Sequence, residues 1–207
     1  MKELTFIAAT NNPDKLREIR AILAGAGFGC LSLAEAGIDA DPDENGATVE
    51  ENSYIKAKAV FDAAGGRPVL ADDTGLFVDA LGGAPGVHTA RYAGLHDYAA
   101  GVDKLLAALS ARTKKSERTA RFVSAATAIL SDGSVVRADG VLEGYIGFAR
   151  TGGGGFGYDP VFMLRGDHSL AQLPEGRKNA VSHRGRSIRK LVFKLRGIHK
   201  MKGDPTC

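Results

Sequence analysis

A mixed α/β sheet with flanking helices is the fold class this sequence predicts, and three stretches carry the prediction. The first, "LTFIAATNNPDKLREIRAILAGAG", is a short apolar run that turns into an amphipathic helix. The second couples a helical segment at 47–64, "ATVEENSYIKAKAVFDAA", to an apolar run, "PVLADDTGLFVDAL", shortly after it. The third, "RFVSAATAILSDGSVVRADGVLEGYIG", is rich in β-branched residues and folds about Asp-Gly, a strong hairpin signal. An antiparallel ribbon following βα units makes the sheet mixed rather than all-parallel.

In order along the chain, "LTFIAAT" is a buried strand. Asn12 then stands at an N-cap and Pro13 at the first helical position, where its missing N–H costs nothing. Leu16, Ile19 and Leu23 give that helix an apolar face, and Gly25 with Gly27 stops it. The segment at 47–64 places Ile55, Ala59, Val60 and Ala63 on one side and ends at "GGRP". The following strand is expected to stop at the acid pair Asp72-Asp73 and resume after Thr-Gly, and "GGAPGVHTARYAG" reads as a long loop. A further helix spans 97–110 through Leu105, Leu106 and Leu109. The last covers about 183–197 and buries Ile188, Leu191, Val192 and Leu195. Residues 1–198 read as one domain, with 199–207 a frayed tail.

Composition bounds the function. The chain has 207 residues, 44% of them hydrophobic and 25% charged, which is ordinary for a globular protein. No apolar stretch reaches the ~18 residues of a membrane span, and "LTFIAAT" is too short for a signal peptide. Two cysteines, Cys30 and Cys207, do not make a disulfide framework, so a reducing, cytoplasmic setting is expected. Net charge is only +3, yet "RKNAVSHRGRSIRKLVFKLRGIHKMK" contains no acid. Such clustering suits either a polyanionic partner or a solvated helix face.

Four clusters carry chemistry. In "ATNNPDK", Thr10, Asn12 and Lys15 gather hydroxyl, amide and ammonium groups around a helix N-terminus, which favours anions. The glycines and Gly-Lys-Ser/Thr ending of a phosphate-binding Walker loop are absent; simple capping is the alternative. In "ADDTG", the acids suit a hard cation such as Mg²⁺, which binds one or two carboxylates plus phosphates and water. Neighbours on a strand face opposite ways, so one of Asp72 and Asp73 meets the cation and the other supports it. Glu44 is a further ligand candidate; an ordinary turn is the alternative. Lys178, His183 and Arg184 offer donors to phosphate or to a carbonyl on a base, with Phe156 and Tyr158 as a stacking surface. Finally, "GGGGFGYDPVF" sets four glycines against bulky side chains, which suits close backbone approach of a ligand better than a linker.

Together these stretches make the sequence similar to the Ham1-like family, the inosine/xanthosine triphosphatases that act on non-standard purine nucleoside triphosphates. The resemblance rests on "ATNNPDK", "ENGATVEENSYIKAKA", "ADDTGLFVDALGGAPGVHTARYAG", "GGFGYDPVF" and "KNAVSHRG", in the family's order over residues 4–197. It implies an elongated mixed α/β sheet with two lobes around a central substrate cleft, a homodimer, and Mg²⁺-dependent hydrolysis to monophosphate and pyrophosphate. By the same resemblance Thr10, Asn12 and Lys15 hold the triphosphate, lined by Asn11, Pro13 and Asp14. Glu44 and Asp73 ligate Mg²⁺, and Asp73 is also the catalytic base. Lys56 faces the phosphates and Thr74 binds substrate. Phe156, Gly157, Tyr158 and Asp159 form the base pocket, completed by Lys178, His183 and Arg184. Where the family commonly has Gly, Ser and Phe, this chain has Asn11, Thr74 and Val49. One extra residue precedes Lys178, which leaves Arg177 and Lys178 as alternatives for the base contact.

Three other readings compete. A nucleic-acid module would use the basic C-terminal helix but gives "ADDTG" no task. A nucleotide sensor without catalysis would not need Glu44 and Asp73. A Maf-like pyrophosphatase acting on other nucleotides is the nearest enzymatic alternative. The expected partner is a small nucleotide, with no nucleic acid and no membrane.

Overall fold

The computed structural model describes residues 4–94 and 97–203. Its elements are β1 (Thr5–Ala8), α1 (Pro13–Ala24), β2 (Gly29–Leu31), α2 (Leu33–Ala36), α3 (Val49–Ala63) and β3 (Val69–Val78). Then follow β4 (Pro85–Gly86), α4 (Tyr98–Ala108), β5 (Thr119–Ile129), β6 (Val135–Ile146), β7 (Phe162–Met163), α5 (Glu175–Val181) and α6 (His183–Gly203). The strands form one sheet in the order β2-β1-β3-β5-β6-β7, with β4 on β3. β1 runs parallel to β2 and β3, whereas β4 pairs antiparallel with β3 and β7 with β6. The expected mixed α/β sheet with flanking helices is therefore what the chain builds.

The chain divides into two compact units. The first comprises residues 1–73, 124–140 and 184–207; the second comprises 74–123 and 141–183. In the first unit the two faces of the sheet are covered by different helices. Phe6, Ala8 and Leu70 pack with Ile19 and Leu23 of α1 and with Ile188, Leu191, Val192 and Leu195 of α6. Ile7, Ala9, Val69 and Ala71 pack instead with Ala57 and Val60 of α3 and Leu33 of α2. Side chains alternate along a strand, so the parity of a residue on β3 decides which helices it meets. In the second unit Leu76, Val78, Phe122, Leu142, Ile146, Tyr158 and Phe162 pack with Val102, Leu105 and Leu109 around α4.

Several sequence expectations need correction. β3 does not break at the acid pair; it continues from Val69 to Val78. Gly75 is not a turn residue there: a Cβ would lie 2.7 Å from the Phe77 ring and 2.9 Å from the Gly86 carbonyl oxygen, so glycine admits the neighbouring strand. The buried face of α3 holds Asn52, Ser53, Lys56, Ala57 and Val60, while Ala63 is exposed. Hydrophobic periodicity missed this face because paired polar side chains occupy half of it. The stretch read as a loop contains β4 and a 3₁₀ turn at Thr89–Arg91. α6 runs to Gly203, past the expected end, and Ile198 still packs on the core. Residues 204–207, Cys207 among them, lie outside the described residues. No helix among the described residues is long and apolar enough to cross a membrane.

Candidate functional site

Asp72 and Asp73 occupy adjacent positions at the end of the first unit's share of β3. Asp72 shares parity with Leu70, which faces α1 and α6; Asp73 shares parity with Ala71, which faces α3. Their partners follow from this alternation. Asp72 Oδ2 accepts from Arg184 Nε of α6 at 2.8 Å, and Asp72 Oδ1 lies 3.7 Å from Lys15 Nζ of α1. Asp73 Oδ1 accepts from Lys56 Nζ of α3 at 2.9 Å. The same ammonium donates to Glu44 Oε1 at 3.0 Å, so Lys56 bridges the two carboxylates.

Arg184 is bound on two sides, because its Nη1 also donates to Glu18 Oε2 at 2.6 Å. Glu18, Asp72 and Arg184 are each at most 2% exposed. Sequence reasoning missed Glu18. Its signal was an acid one turn beyond Lys15 on a helix face otherwise apolar through Leu16, Ile19 and Leu23, and its partner lies 166 residues away.

The charges set the proton affinities. Burial works to raise Asp72, but Arg184, Lys15 and Lys56 outweigh it and hold that carboxyl well below the ordinary range. For Asp73 burial prevails and, with help from the Glu44 charge, lifts it above the usual aspartate value against the pull of Lys56 and Lys15. Burial opposes the charge on Lys56 too, yet Asp73, Glu44 and Asp72 together keep its affinity for the proton raised. Lys15 is pushed down, mainly by burial and then by the neighbouring Lys56 and Arg184 cations, despite Asp72. Glu44 is held low by Lys56, although burial acts the other way.

Asn12 caps the start of α1. Asn12 Oδ1 accepts from Asp14 N at 2.9 Å and Lys15 N at 3.0 Å, and Leu16 N donates to Asn12 O at 3.0 Å. Pro13 has no N–H, so the first turn offers no unused backbone amide to an anion. Thr10 Oγ1 accepts from Asn12 N at 3.1 Å. What remains for a phosphate is the Lys15 ammonium, the hydroxyl proton of Thr10, the amide protons of Asn12 and the field of the helix. Exposed Asn11 donates to Ala40 O at 3.3 Å, and Asp14 pairs with Arg17.

A second cluster lies in the second unit. Asp159 is 4% exposed, and its Oδ2 accepts from Phe156 N at 2.8 Å and from Lys178 Nζ at 2.5 Å. Lys178 Nζ also lies 4.6 Å from the centroid of the Phe156 ring. Gly155 has φ +69°, and a Cβ there would stand 2.2 Å from Asp159 Oδ2, so glycine is required for the loop to fold onto this carboxylate. Gly157 has φ +63°, in the same left-handed region. On α5 Lys178 points inward while Arg177 is exposed, which favours Lys178 of the two alternatives.

Tyr158 does not offer the expected stacking face: it is 2% exposed, donates to Thr89 O at 3.2 Å, and fits over Gly101 of α4, where a Cβ would meet its hydroxyl at 2.4 Å. Of the two rings only Phe156 stays partly open. His183 stacks on Phe122, with ring centroids 4.4 Å apart. Thr74, half-buried, follows Asp73 directly on β3. Lys15, Lys56, Glu44, Asp73 and Arg184 are thus brought together in the first unit, and Phe156, Asp159 and Lys178 in the second.

The chain is similar to known proteins over nearly its whole length. The Ham1 family model matches residues 6–194. The dITP/XTP pyrophosphatase of Clostridium perfringens is 43% identical over 202 residues, covering 94% of this chain and 98% of that one. The dITP/XTP pyrophosphatase of Streptomyces avermitilis is 46% identical over 200 residues, covering 93% and 98%. Among solved structures, the HAM1 protein from Coxiella burnetii superposes with a TM-score of 0.82 at 35% identity, covering 94% of this chain and 99% of that one. Matched in family model, sequence and fold over nearly its whole length, the chain belongs to the Ham1 family.

Proposed function

We infer that this protein is a nucleoside triphosphate pyrophosphatase that hydrolyses non-standard purine nucleoside triphosphates, among them dITP and XTP, to the monophosphate and pyrophosphate. Its similarity to dITP/XTP pyrophosphatases supports the substrate class. The observation that carries the chemistry is the Lys56 bridge between Glu44 and Asp73, with Asp73 Oδ2 buried and accepting no hydrogen bond.

The residues present fit a Mg²⁺ ion. Among the described residues no three His, Cys, Asp or Glu side chains form a complete cage. Mg²⁺ does not need one, since one or two carboxylates with substrate phosphates and water suffice. Glu44 and Asp73 supply those carboxylates, and the unpartnered Asp73 Oδ2 is a ready lone pair. The charge balance points the same way. Glu18, Glu44, Asp72 and Asp73 oppose Lys15, Lys56 and Arg184, leaving one negative charge in excess at a place meant to receive a polyphosphate. A bound divalent cation would offset charge on the phosphates and make the site attractive to them.

The chain's own groups then divide the work. Lys15 and Lys56 present ammonium donors to phosphate oxygens and offset charge on the departing pyrophosphate. Asp73 orients a water for in-line attack on phosphorus and takes its proton. Burial raises the proton affinity of its carboxyl, the direction that suits a group taking up a proton. Glu18 and Asp72 hold Arg184, and Asp72 with Arg184 sets the field in which Lys15 sits.

Base recognition is assigned to the second cluster. Asp159 aims the Lys178 ammonium, and a 6-oxo purine offers that donor an acceptor. Adenine offers an amino donor there instead, so one buried group would go unpaired, a mismatch that can separate substrates by ~10⁴ or more. On the family resemblance we also read the protein as a cytoplasmic homodimer, which light scattering on the purified chain would check. The catalytic reading is tested by pyrophosphate release from inosine, xanthosine, guanosine and adenosine triphosphates with and without Mg²⁺. Turnover confined to the first two in the presence of the metal supports it; equal turnover of adenosine triphosphate would sink it.

A further inference from the structure

We propose that Asn52 is a positioning residue that, together with Gly46, holds Glu44 at the metal and phosphate end of the site. The inference rests on the reading of Glu44 as a metal ligand. Glu44 lies in a stretch, residues 38–46, without helix or strand, so local backbone structure does not fix it. Asn52 does: its Oδ1 accepts from Gly46 N at 2.8 Å, two residues beyond Glu44.

The bond is not part of ordinary helix capping. The start of α3 is already capped by Thr48, whose Oγ1 accepts from Glu51 N at 3.1 Å, while Glu51 Oε2 accepts from Ala47 N at 2.7 Å. Asn52 reaches one residue further up the chain than that cap requires. Gly46 is shaped for the contact, since a Cβ there would lie 2.7 Å from Asn52 Oδ1 and 2.7 Å from Glu51 Cβ.

Stability alone does not account for this carboxamide. Asn52 is 0% exposed, and its Nδ2 is buried without a hydrogen-bond partner, a cost that an apolar side chain of similar size would avoid. A residue kept at such a cost is explained by what its other half does. Asn52 also precedes Lys56 by one helical turn, so both side chains rise from the same face of α3. One turn of helix therefore grips Glu44 twice: through its carboxylate by Lys56, and through the backbone two residues later by Asn52.

The test uses the full chain and Mn²⁺ as probe, with bound metal read by electron paramagnetic resonance and loop protection by hydrogen–deuterium exchange over residues 38–48. Asn52→Leu and Gly46→Ala are expected to weaken Mn²⁺ binding by about 10-fold or more, the scale for losing a group that orients a ligand, and to speed exchange in that segment. Should Asn52→Leu fail to fold, Gly46→Ala decides, because it keeps the Asn52 carboxamide and crowds its contact with the loop. Unchanged Mn²⁺ affinity in a folded Asn52→Leu or Gly46→Ala protein overturns the inference. A wild-type protein that takes up no Mn²⁺ refutes the ligand reading itself and the inference with it, an outcome distinct from wild-type binding that the variants leave untouched.

Discussion

Arg184 Nε lies 2.8 Å from Asp72 Oδ2, and this pair joins α6 to the centre of β3 across 112 residues of sequence. With Glu18 on its other side, the guanidinium is enclosed by two carboxylates, all three groups buried. Removing one member of such a set costs more than the set contributes, because the remaining charges stay buried without a counter-charge. Arg184→Met is accordingly expected to lower unfolding free energy by about 3–5 kcal/mol in urea titrations. A change below about 1 kcal/mol, the scale of exposed pairs, would show that the carboxylates do not depend on it.

The same pair fixes the response to acid. Asp72 binds its proton less readily in the folded chain than in the unfolded one, where an aspartate titrates near ~3.9. Its stabilising contribution is therefore complete above that value and is lost as pH falls toward the depressed folded value, since only the unfolded chain then takes up the proton. Thermal unfolding followed from neutral pH down to strongly acid pH should show a steep loss below about pH 4. In Asp72→Asn that segment of the profile should flatten, with lower stability at neutral pH. A parallel acid branch in the two proteins would remove Asp72 from this role.

Asp159 and Lys178 make a third prediction possible. Asp159→Asn keeps an acceptor for the Phe156 amide but weakens the charge-assisted hold on the Lys178 ammonium. The expected outcome is a fall in kcat/KM for inosine triphosphate of about 10-fold or more, carried mainly by KM. Lys178→Met should reduce the preference for inosine over adenosine triphosphate in the same assay. If both variants keep wild-type selectivity, the 6-oxo group is read elsewhere.

Gly155→Ala tests why the loop needs its glycine. The added methyl would meet Asp159 Oδ2 in a backbone conformation with positive φ, so either the carboxylate or the loop must move. Loss of inosine triphosphate binding with the protein still folded, measured by calorimetry on an inactive background, is the expected result. Wild-type binding would show that Asp159 can shift without consequence.

Much of this was legible in the sequence, and what was not has definable causes. The alternation rule alone separates Asp72 from Asp73, and the structure sends them to α1 with α6 and to α3 as that rule requires. Asn12 and Pro13 announce the start of α1, and Leu105 and Leu109 the packed face of α4. The buried face of α3 was not legible, because Asn52, Ser53 and Lys56 look like solvent residues until Gly46, Thr127 and Asp73 are there to pair with them. Glu18 stayed hidden for the same reason, its partner being far along the chain. The packing of the Tyr158 ring over Gly101 and of the His183 ring on Phe122 was not legible either, since both contacts join distant parts of the chain. Polar residues inside an apolar pattern were the informative places, and their partners could be found only in three dimensions.

The proposed reaction depends most directly on Asp73. Asp73→Asn preserves shape and removes the charge that faces Lys56, so the variant should fold and bind inosine triphosphate while its turnover with Mg²⁺ falls by roughly 10² or more, the scale of general-base and charge effects. Steady-state release of pyrophosphate by the purified variant decides it: a fall of that size is the predicted result, and turnover near that of the wild-type chain would contradict the assignment of this carboxylate to the reaction.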